Sequence, residues 1–163
     1  MKTKLLSTLV AFTLACTLHA ADEKHPHDHD HGKIKAGPTG GRLITEVEPH
    51  AEFLVNKDSK VEIRFVDDDN KVVPPGEQVV TVTLGERSAP TKLSFSTEGD
   101  KLISDKTIPA GNDYPTVVQI RAKEGAKAVN EKFHLNLESC PTCKNKEYAC
   151  TCAHGAEEEK KGK

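Results

Sequence analysis

The sequence predicts an all-β fold, an antiparallel β-sandwich of the immunoglobulin-like kind with about seven or eight strands. Three observations support this prediction. Between residues 38 and 138, apolar residues recur at every second position in short runs, which is the pattern of strands with one buried face. Clusters of Asn, Asp, Gly and Pro separate the runs, and no stretch carries an apolar stripe at helical spacing.

Each predicted strand is a short run in which apolar and polar residues alternate. In chain order, the apolar members are Phe53 and Val55; Val61, Ile63 and Phe65; Val80, Val82 and Leu84; Leu93 and Phe95; Val118, Ile120 and Ala122; and Phe133, Leu135 and Leu137. The separating turns are Asn56-Lys57-Asp58, Asp68-Asp69-Asn70, Pro74-Pro75-Gly76, Glu98-Gly99-Asp100 and Gly111-Asn112-Asp113-Tyr114-Pro115. We expect the intervening polar residues, such as Glu62, Arg64 and His134, to face solvent.

Residues 1–21 are predicted to be a secretory signal peptide. Two lysines precede an apolar run, Leu5–Leu18, which is short for a membrane span, and small residues follow it at Ala20 and Ala21. We therefore expect a bacterial protein that is cleaved after one of these alanines and exported to the periplasm or secreted. A lipid anchor at Cys16 is disfavoured because Thr, and not Leu, stands three residues before it.

The segment 22–37 is predicted to be a flexible arm rich in histidine, because it has no apolar periodicity and little to bury. Four imidazoles alternate with other residues in it: His25, His27, His29 and His31. Neutral imidazole is a ligand for Zn²⁺, Cu²⁺ and Ni²⁺, and the intervening aspartates add favourable charge. We expect the arm to capture divalent ions, in preference to serving only as a solubilising linker.

A second group of potential ligands occupies residues 139–154. It contains a Cys-x-x-Cys unit, a Cys-x-Cys unit and a histidine, namely Cys140, Cys143, Cys150, Cys152 and His154. Four thiolates so close in sequence can converge on one Zn²⁺ or Cu⁺ ion, and the histidine could replace one of them. Because only Tyr148 and Ala149 are apolar here, we expect a flexible tail that metal or disulfide bonds must fold.

Disulfide bonds are the competing interpretation of the same cysteines. An even number of cysteines in an oxidising compartment is typical of a disulfide framework. A Cys150–Cys152 ring would be strained, so crossed or nested pairings are favoured over pairing of neighbours. The sequence leaves both interpretations open, and it also allows a segment that binds metal only when reduced.

Composition and motifs argue against several function classes. The formal net charge is −2, so there is no basic face for nucleic acid, and we find no nucleophile elbow, phosphate loop or catalytic metal helix. We expect no enzymatic activity, no organic cofactor and no membrane span. Asp67–Asn70 are expected to form a hairpin turn and not a calcium loop. His50 and His134 are expected to be surface histidines, although His50 could be one ligand of a mixed site.

Part of the sandwich resembles a known family. The relevant residues are Gly37-Pro38-Thr39-Gly40-Gly41-Arg42-Leu43, Phe53-Leu54-Val55 and Gly99-Asp100-Lys101-Leu102. They are similar to the N-terminal periplasmic β-domain of adaptor proteins of heavy-metal efflux pumps of the resistance-nodulation-division type. The resemblance implies metal handling beside an efflux complex. Thr39 stands where members often have His, and no coiled-coil, lipoyl or barrel segment follows, so we expect a free-standing accessory protein.

These expectations describe a secreted, non-enzymatic metal-binding protein. Its ions would be Zn²⁺, Cu⁺ or Cu²⁺, with Ni²⁺ as a further candidate, and an efflux complex would be its partner. The alternative is a structural or interaction domain whose C-terminal loop is closed by disulfides. In both cases residues 155–163 form a charged tail without predicted structure.

Overall fold

The computed structural model describes residues 34–152, which belong to one compact unit of the chain. Several predicted features lie outside the described residues: the signal peptide, Cys16, the four histidines of the arm, His154 and the tail 155–163. The described part consists of strands, loops and one short 3₁₀ turn. None of its helical turns is long and apolar enough to cross a membrane.

Eleven strands are present in the described residues. In chain order they are β1 (Lys35–Ala36), β2 (Arg42–Ile44), β3 (His50–Val55), β4 (Lys60–Val66), β5 (Val72–Val73), β6 (Val79–Leu84), β7 (Thr91–Leu93), β8 (Phe95–Glu98), β9 (Lys101–Thr107), β10 (Tyr114–Arg121) and β11 (Ala128–Leu135). The all-β, sandwich-like prediction is confirmed. The strands outnumber the prediction in part because β1, β2 and β5 span only two or three residues, too few for alternation to reveal.

The strands form two antiparallel sheets. The first has the order β1-β2-β3-β4-β9-β8, with β5 also paired to β4, and the second has the order β11-β10-β6-β7. The core lies between them, and its side chains come from both sheets, for example Phe53, Ile63, Val82 and Ile120, each 1 % exposed or less. These are alternating positions of the predicted runs, so the period of two located the core correctly.

The predicted strand around Leu93 and Phe95 is in fact two strands in different sheets. The chain leaves the second sheet after Leu93, passes Ser94 and enters the first sheet at Phe95. The Asp105 side chain holds this crossing by accepting a hydrogen bond from the Ser94 amide at 2.9 Å. β9 was not predicted, because Leu102 is the one large apolar side chain on its inner face.

The outer face of the first sheet is more buried than the alternation predicts. Glu62 is only 5 % exposed, and its carboxylate accepts hydrogen bonds from Lys101 Nζ at 2.8 Å and Asn56 Nδ2 at 3.0 Å. Arg64 also pairs with it at 2.7 Å. Burial raises the pKa of Glu62, but these hydrogen bonds and positive charges outweigh burial, and the net pKa is lowered. In contrast Ala122, predicted to be inward, is exposed after the end of β10.

A glycine-rich turn at residues 37–41 encloses a second buried carboxylate, that of Glu52. One oxygen of Glu52 accepts hydrogen bonds from the amides of Thr39 at 2.9 Å and Gly41 at 2.8 Å. β1 precedes this turn and pairs with β2. Residues 35–37 therefore belong to the sheet and the turn, which corrects the predicted arm boundary of 22–37.

The segment 139–152 packs against the sandwich, which corrects the prediction of a flexible Cys-rich tail. Tyr148 is 2 % exposed and Ala149 is fully buried, and both belong to the core between the sheets. Two apolar residues are too few to build a core of their own. They order the segment because they complete a core that the strands have already formed.

Candidate metal centre

The first two cysteines lie in a tight turn that follows the last strand. An isolated antiparallel bridge closes the turn, and the Cys140 amide donates to the Asn145 carbonyl at 2.8 Å. Lys144 reverses the chain with a φ of 65°. This reversal brings the sulfur atoms of Cys140 and Cys143 within 4.8 Å of each other.

A single 3₁₀ turn, Glu147–Ala149, returns the chain to the first two thiols. The Asn145 side chain donates to the Ala149 carbonyl at 3.4 Å, and the Cys150 amide donates to the Glu147 carbonyl at 3.1 Å. Cys150 then has extended backbone angles, φ −69° and ψ 126°. Side chains two apart in an extended segment point the same way, so a Cys-x-Cys unit can present both thiols to one ion.

Tyr148 anchors this segment between the two sheets. Its ring centroid lies 5.7 Å from that of Phe53 in the first sheet and 6.3 Å from that of Phe133 in the second. Its hydroxyl accepts a hydrogen bond from the Val55 amide at 3.1 Å. A tyrosine suits this position because the ring is buried while its polar end meets a backbone donor.

Arg42, in β2, also connects the Cys-rich segment to the two sheets. Its guanidinium lies 4.7 Å from the Phe133 ring centroid, and it pairs with Glu131 at 2.7 Å. It also donates to the Tyr148 carbonyl at 3.2 Å. Since β2 belongs to the first sheet and Phe133 and Glu131 to the second, one side chain links both sheets to the Cys-rich segment.

The four sulfur atoms, which we call the four-cysteine cluster, have the dimensions of a tetrahedral thiolate site. The Sγ–Sγ distance is 3.4 Å between Cys140 and Cys150, 3.7 Å between Cys143 and Cys150, and 4.0 Å between Cys140 and Cys152. Zn–S bonds of about 2.3 Å place the sulfurs of a regular tetrahedron about 3.8 Å apart. A disulfide needs about 2.0 Å, so none of these pairs is bonded in this structure, and the cluster can hold a metal ion.

Backbone amides point at these sulfurs. The amides of Cys143 and Thr142 donate to the Cys140 sulfur, and two further amides donate to the Cys143 sulfur. The Cys152 amide donates to the Cys150 sulfur at 3.4 Å. Such hydrogen bonds stabilise negative charge on sulfur, and they therefore favour the thiolate form that binds metal.

The thiols differ in proton affinity. Hydrogen bonds from backbone amides lower the pKa of Cys140 to about 7 and also lower the pKa of Cys143. Burial raises the pKa of Cys150 to about 12 and also raises the pKa of Cys152. At neutral pH an arriving metal ion must therefore displace protons from the second pair.

Of the predicted ligands, the structure brings together the four cysteines. The arm histidines and His154 lie outside the described residues, so their roles stay predictions. His134 is exposed as expected and pairs with Asp113 at 3.0 Å. His50, expected at the surface, has a side chain only 18 % exposed that lies beside Glu48 and Asp68.

Two structural features were not predicted from the sequence, namely the position of Tyr148 and the grouping of His50 with Asp68. Tyr148 was noted only as one of two apolar residues, yet it places the whole cluster on the sandwich. The grouping of His50 with Asp68 was also missed, because it depends on strand pairing. The signal for Tyr148 was present, since a lone aromatic residue in a polar segment often marks a docking contact.

The fold and the cluster define an all-β protein with a four-cysteine cluster that can hold a metal ion. No family model, no curated protein and no solved structure matches the chain. The resemblance to efflux adaptor domains therefore stays a prediction from sequence.

Proposed function

We propose that this protein is a secreted or periplasmic metal-binding protein without enzymatic activity. It holds one Zn²⁺ or Cu⁺ ion in the four-cysteine cluster and sequesters or delivers that ion. The observation that carries the proposal is the convergence of four thiols within 4.8 Å of one another. Amide hydrogen bonds to three of the four sulfurs support it, because they stabilise thiolates and orient them.

Zn²⁺ is the first candidate for the cluster, because structural zinc sites are four-coordinate and accept four thiolates. Cu⁺ is the second, because soft thiolate ligands select it. Cys140 and Cys150 are buried, whereas Cys143 and Cys152 are half-buried. An ion can therefore reach and leave the cluster on the side of these two residues, which suits delivery as well as storage.

The rest of the proposal is supported by sequence. The segment 1–21 supports export, and the four histidines of the arm support capture of Zn²⁺, Cu²⁺ or Ni²⁺. The resemblance to adaptor domains supports a position beside a heavy-metal efflux complex. In this arrangement the arm would collect ions with fast, unselective ligands, and the cluster would hold them more tightly.

The metal content of the exported chain, prepared under reducing and oxygen-free conditions, tests the proposal. In a background with the arm histidines changed to Ala, the wild-type cluster should retain one Zn²⁺ per chain after desalting. Changing all four cysteines to Ser should abolish retention, because serine hydroxyls do not replace thiolates. Thr142→Ser is the matched control, since Thr142 lies exposed in the same turn and its side chain is not a ligand. Equal retention by the cysteine variant would refute the proposal.

The alternative function is a structural or interaction domain with a disulfide-closed loop. Counting the thiols of the exported protein distinguishes it from the metal-binding protein. Sulfur pairs at 3.4 Å and 3.7 Å need only small movements to form disulfides under oxidation. The exported protein should be collected with a thiol-blocking reagent and its intact mass measured without reduction. Four blocked thiols after metal removal support the metal-binding protein, and two disulfides support the alternative.

A further inference from the structure

A second group of potential ligands lies at one end of the first sheet. Glu48 and His50 stand at the entry to β3, and Asp68 lies in the turn between β4 and β5. His50 is opposite Val66 in the β3–β4 ladder, so the turn that follows Val66 comes beside it. His50 Nε2 is 3.6 Å from Asp68 Oδ1, and one ligand atom from each of the three residues lies within 4.8 Å of the others.

The His50 ring is held in the orientation that a metal ligand needs. Its Nδ1 is 3.0 Å from the Val47 carbonyl oxygen. A carbonyl only accepts hydrogen bonds, so Nδ1 carries a proton, and in the neutral ring Nε2, which faces Asp68, is the nitrogen that can bind a metal ion. Metal-bound histidines commonly donate their other ring N–H to a backbone carbonyl in this way. The side chain is 18 % exposed, so the ring has little freedom to turn.

The aspartates of the turn have different partners. Asp67 Oδ1 accepts hydrogen bonds from the amides of Asp69 at 3.0 Å and Lys71 at 2.9 Å, and Asp69 pairs with Lys71 Nζ at 3.1 Å. Asp68 faces Nε2 of His50 at 3.6 Å, whereas Glu48 lies 3.6 Å from Nδ1, on the edge of the ring that also meets the Val47 carbonyl. The two carboxylates therefore lie on two edges of one imidazole, and no ion pair within residues 34–152 joins either of them to a lysine or arginine, so their negative charge favours a cation.

We propose that Glu48, His50 and Asp68 form a second metal site, for a borderline divalent cation such as Ni²⁺ or Cu²⁺, with water completing its coordination. One imidazole nitrogen and two carboxylate oxygens suit these ions, whereas Ca²⁺ takes about six to eight oxygens. Bonds of about 2.0–2.2 Å place two ligand atoms about 3–4 Å apart, so the 3.6 Å from Nε2 to Asp68 already fits. Glu48 lies beside Nδ1 and must turn to reach an ion on Nε2, and its side chain is 72 % exposed and free to do so.

This site differs in chemistry from the four-cysteine cluster and does not depend on it. Thiolates select soft ions such as Cu⁺, whereas the nitrogen and oxygen ligands here select Cu²⁺ and Ni²⁺. The two sites would therefore let one chain bind copper in both oxidation states.

A Ni²⁺ titration that observes each histidine ring by nuclear magnetic resonance tests the site. The full exported chain is used with the arm histidines changed to Ala, so that the arm does not compete. We expect the His50 ring signals to broaden at a Ni²⁺ concentration about tenfold lower than those of His134. His134 is the matched control, because it is 68 % exposed and pairs with a single carboxylate. The titration is repeated with the four cysteines changed to Ser, so that Ni²⁺ bound at the four-cysteine cluster cannot account for the broadening.

Variants of the turn complete the test. Asp68→Asn should raise the Ni²⁺ concentration needed at His50 by about tenfold, and Asp69→Asn should leave it unchanged, since Asp69 pairs with Lys71. Asp68 is 88 % exposed, so its variant should fold. Broadening at His50 no earlier than at His134, or an equal effect of the two aspartate variants, would overturn the proposal.

Discussion

The sulfur atoms of Cys140 and Cys150 lie 3.4 Å apart, yet their surroundings shift the pKa values of the two thiols in opposite directions. Amide hydrogen bonds lower the pKa of Cys140 to about 7, while burial raises the pKa of Cys150 to about 12. Without a cation, the cluster therefore holds few negative charges at neutral pH, which limits repulsion between adjacent sulfurs. A bound metal ion supplies the positive charge that lets the remaining thiols ionise.

Proton release should accompany zinc binding. At pH 8 the Cys140 thiol is already mostly ionised, whereas the raised pKa values of Cys150 and Cys152 keep those thiols protonated. We expect about two to three protons to be released per Zn²⁺, so apparent affinity should rise about 100- to 1,000-fold from pH 7 to pH 8. Calorimetry in buffers of different ionisation enthalpy measures this number. A pH-independent affinity would contradict the thiolate site.

The hydroxyl and the ring of Tyr148 should contribute separately. Tyr148→Phe should lower the free energy of unfolding by about 1 kcal/mol, because the Val55 amide loses its acceptor. Tyr148→Ala should lower it by about 3–5 kcal/mol and also weaken zinc binding, because the segment loses its buried contact. Urea unfolding and zinc titration measure both effects.

Tyr114→Phe provides the control for these variants. The Tyr114 hydroxyl also forms a hydrogen bond with the backbone, which it donates to the Pro109 carbonyl at 3.0 Å. Its loss should cost a similar amount of stability, about 1 kcal/mol, without changing zinc affinity. If Tyr114→Phe and Tyr148→Ala weaken zinc binding equally, the anchoring role of Tyr148 is wrong.

Among the structural elements, the turn at residues 37–41 depends most on glycine. A side chain at Gly41 would meet the Phe53 carbonyl oxygen, which is backbone and cannot move aside cheaply. Gly41→Ala should therefore lower the free energy of unfolding by about 1–3 kcal/mol. The measurement is chemical denaturation followed by far-UV circular dichroism.

Gly76→Ala is the matched control for that turn. A side chain at Gly76 would meet only the flexible amide of Gln78, at 3.3 Å, and the change should stay within about 0.5 kcal/mol. Equal destabilisation by the two substitutions would show that close packing around the 37–41 turn is not the cause.

The strands show which elements a local pattern can reveal. β4 and β6 were predicted because consecutive inner positions carry large apolar residues. β9 is paired on both sides, with β4 and β8, but was missed, because its inner face carries Leu102 followed by Ser104. Ser104 is buried by its neighbours and donates to the Lys106 carbonyl at 2.6 Å. Burial there is a property of the assembled sheet and leaves no periodic signal.

At the scale of the whole molecule, the four-cysteine cluster is attached to the core but is not part of it. The packed core contains Tyr148 and Ala149 together with strand residues of both sheets, whereas Cys140 and Cys150 are buried beside it without belonging to it. The sandwich should therefore stay folded when metal is removed, unlike a small zinc finger, which unfolds.

Removing Zn²⁺ with a chelator tests whether the sandwich stays folded without the metal ion. With free Zn²⁺ about 1,000 times above the dissociation constant, binding should add about 4 kcal/mol to the free energy of unfolding. A chelator should remove this increment and leave the β-sheet circular dichroism signal intact. Urea unfolding with and without chelator measures the difference. Loss of all β structure on chelation, or no change in stability, would contradict the expected arrangement.

The sequence by itself determined the all-β class, the positions of most core residues and the candidate cluster of four cysteines, because period-two alternation and cysteine spacing are local properties. Only the tertiary structure decided that the Cys-rich segment packs on the sandwich through Tyr148, that Glu62 is buried, and that Asp68 faces His50. These outcomes depend on residues distant in the chain, and on burial that strand pairing creates. Strand pairing determines which side chains meet, and a local sequence pattern does not specify which strands pair.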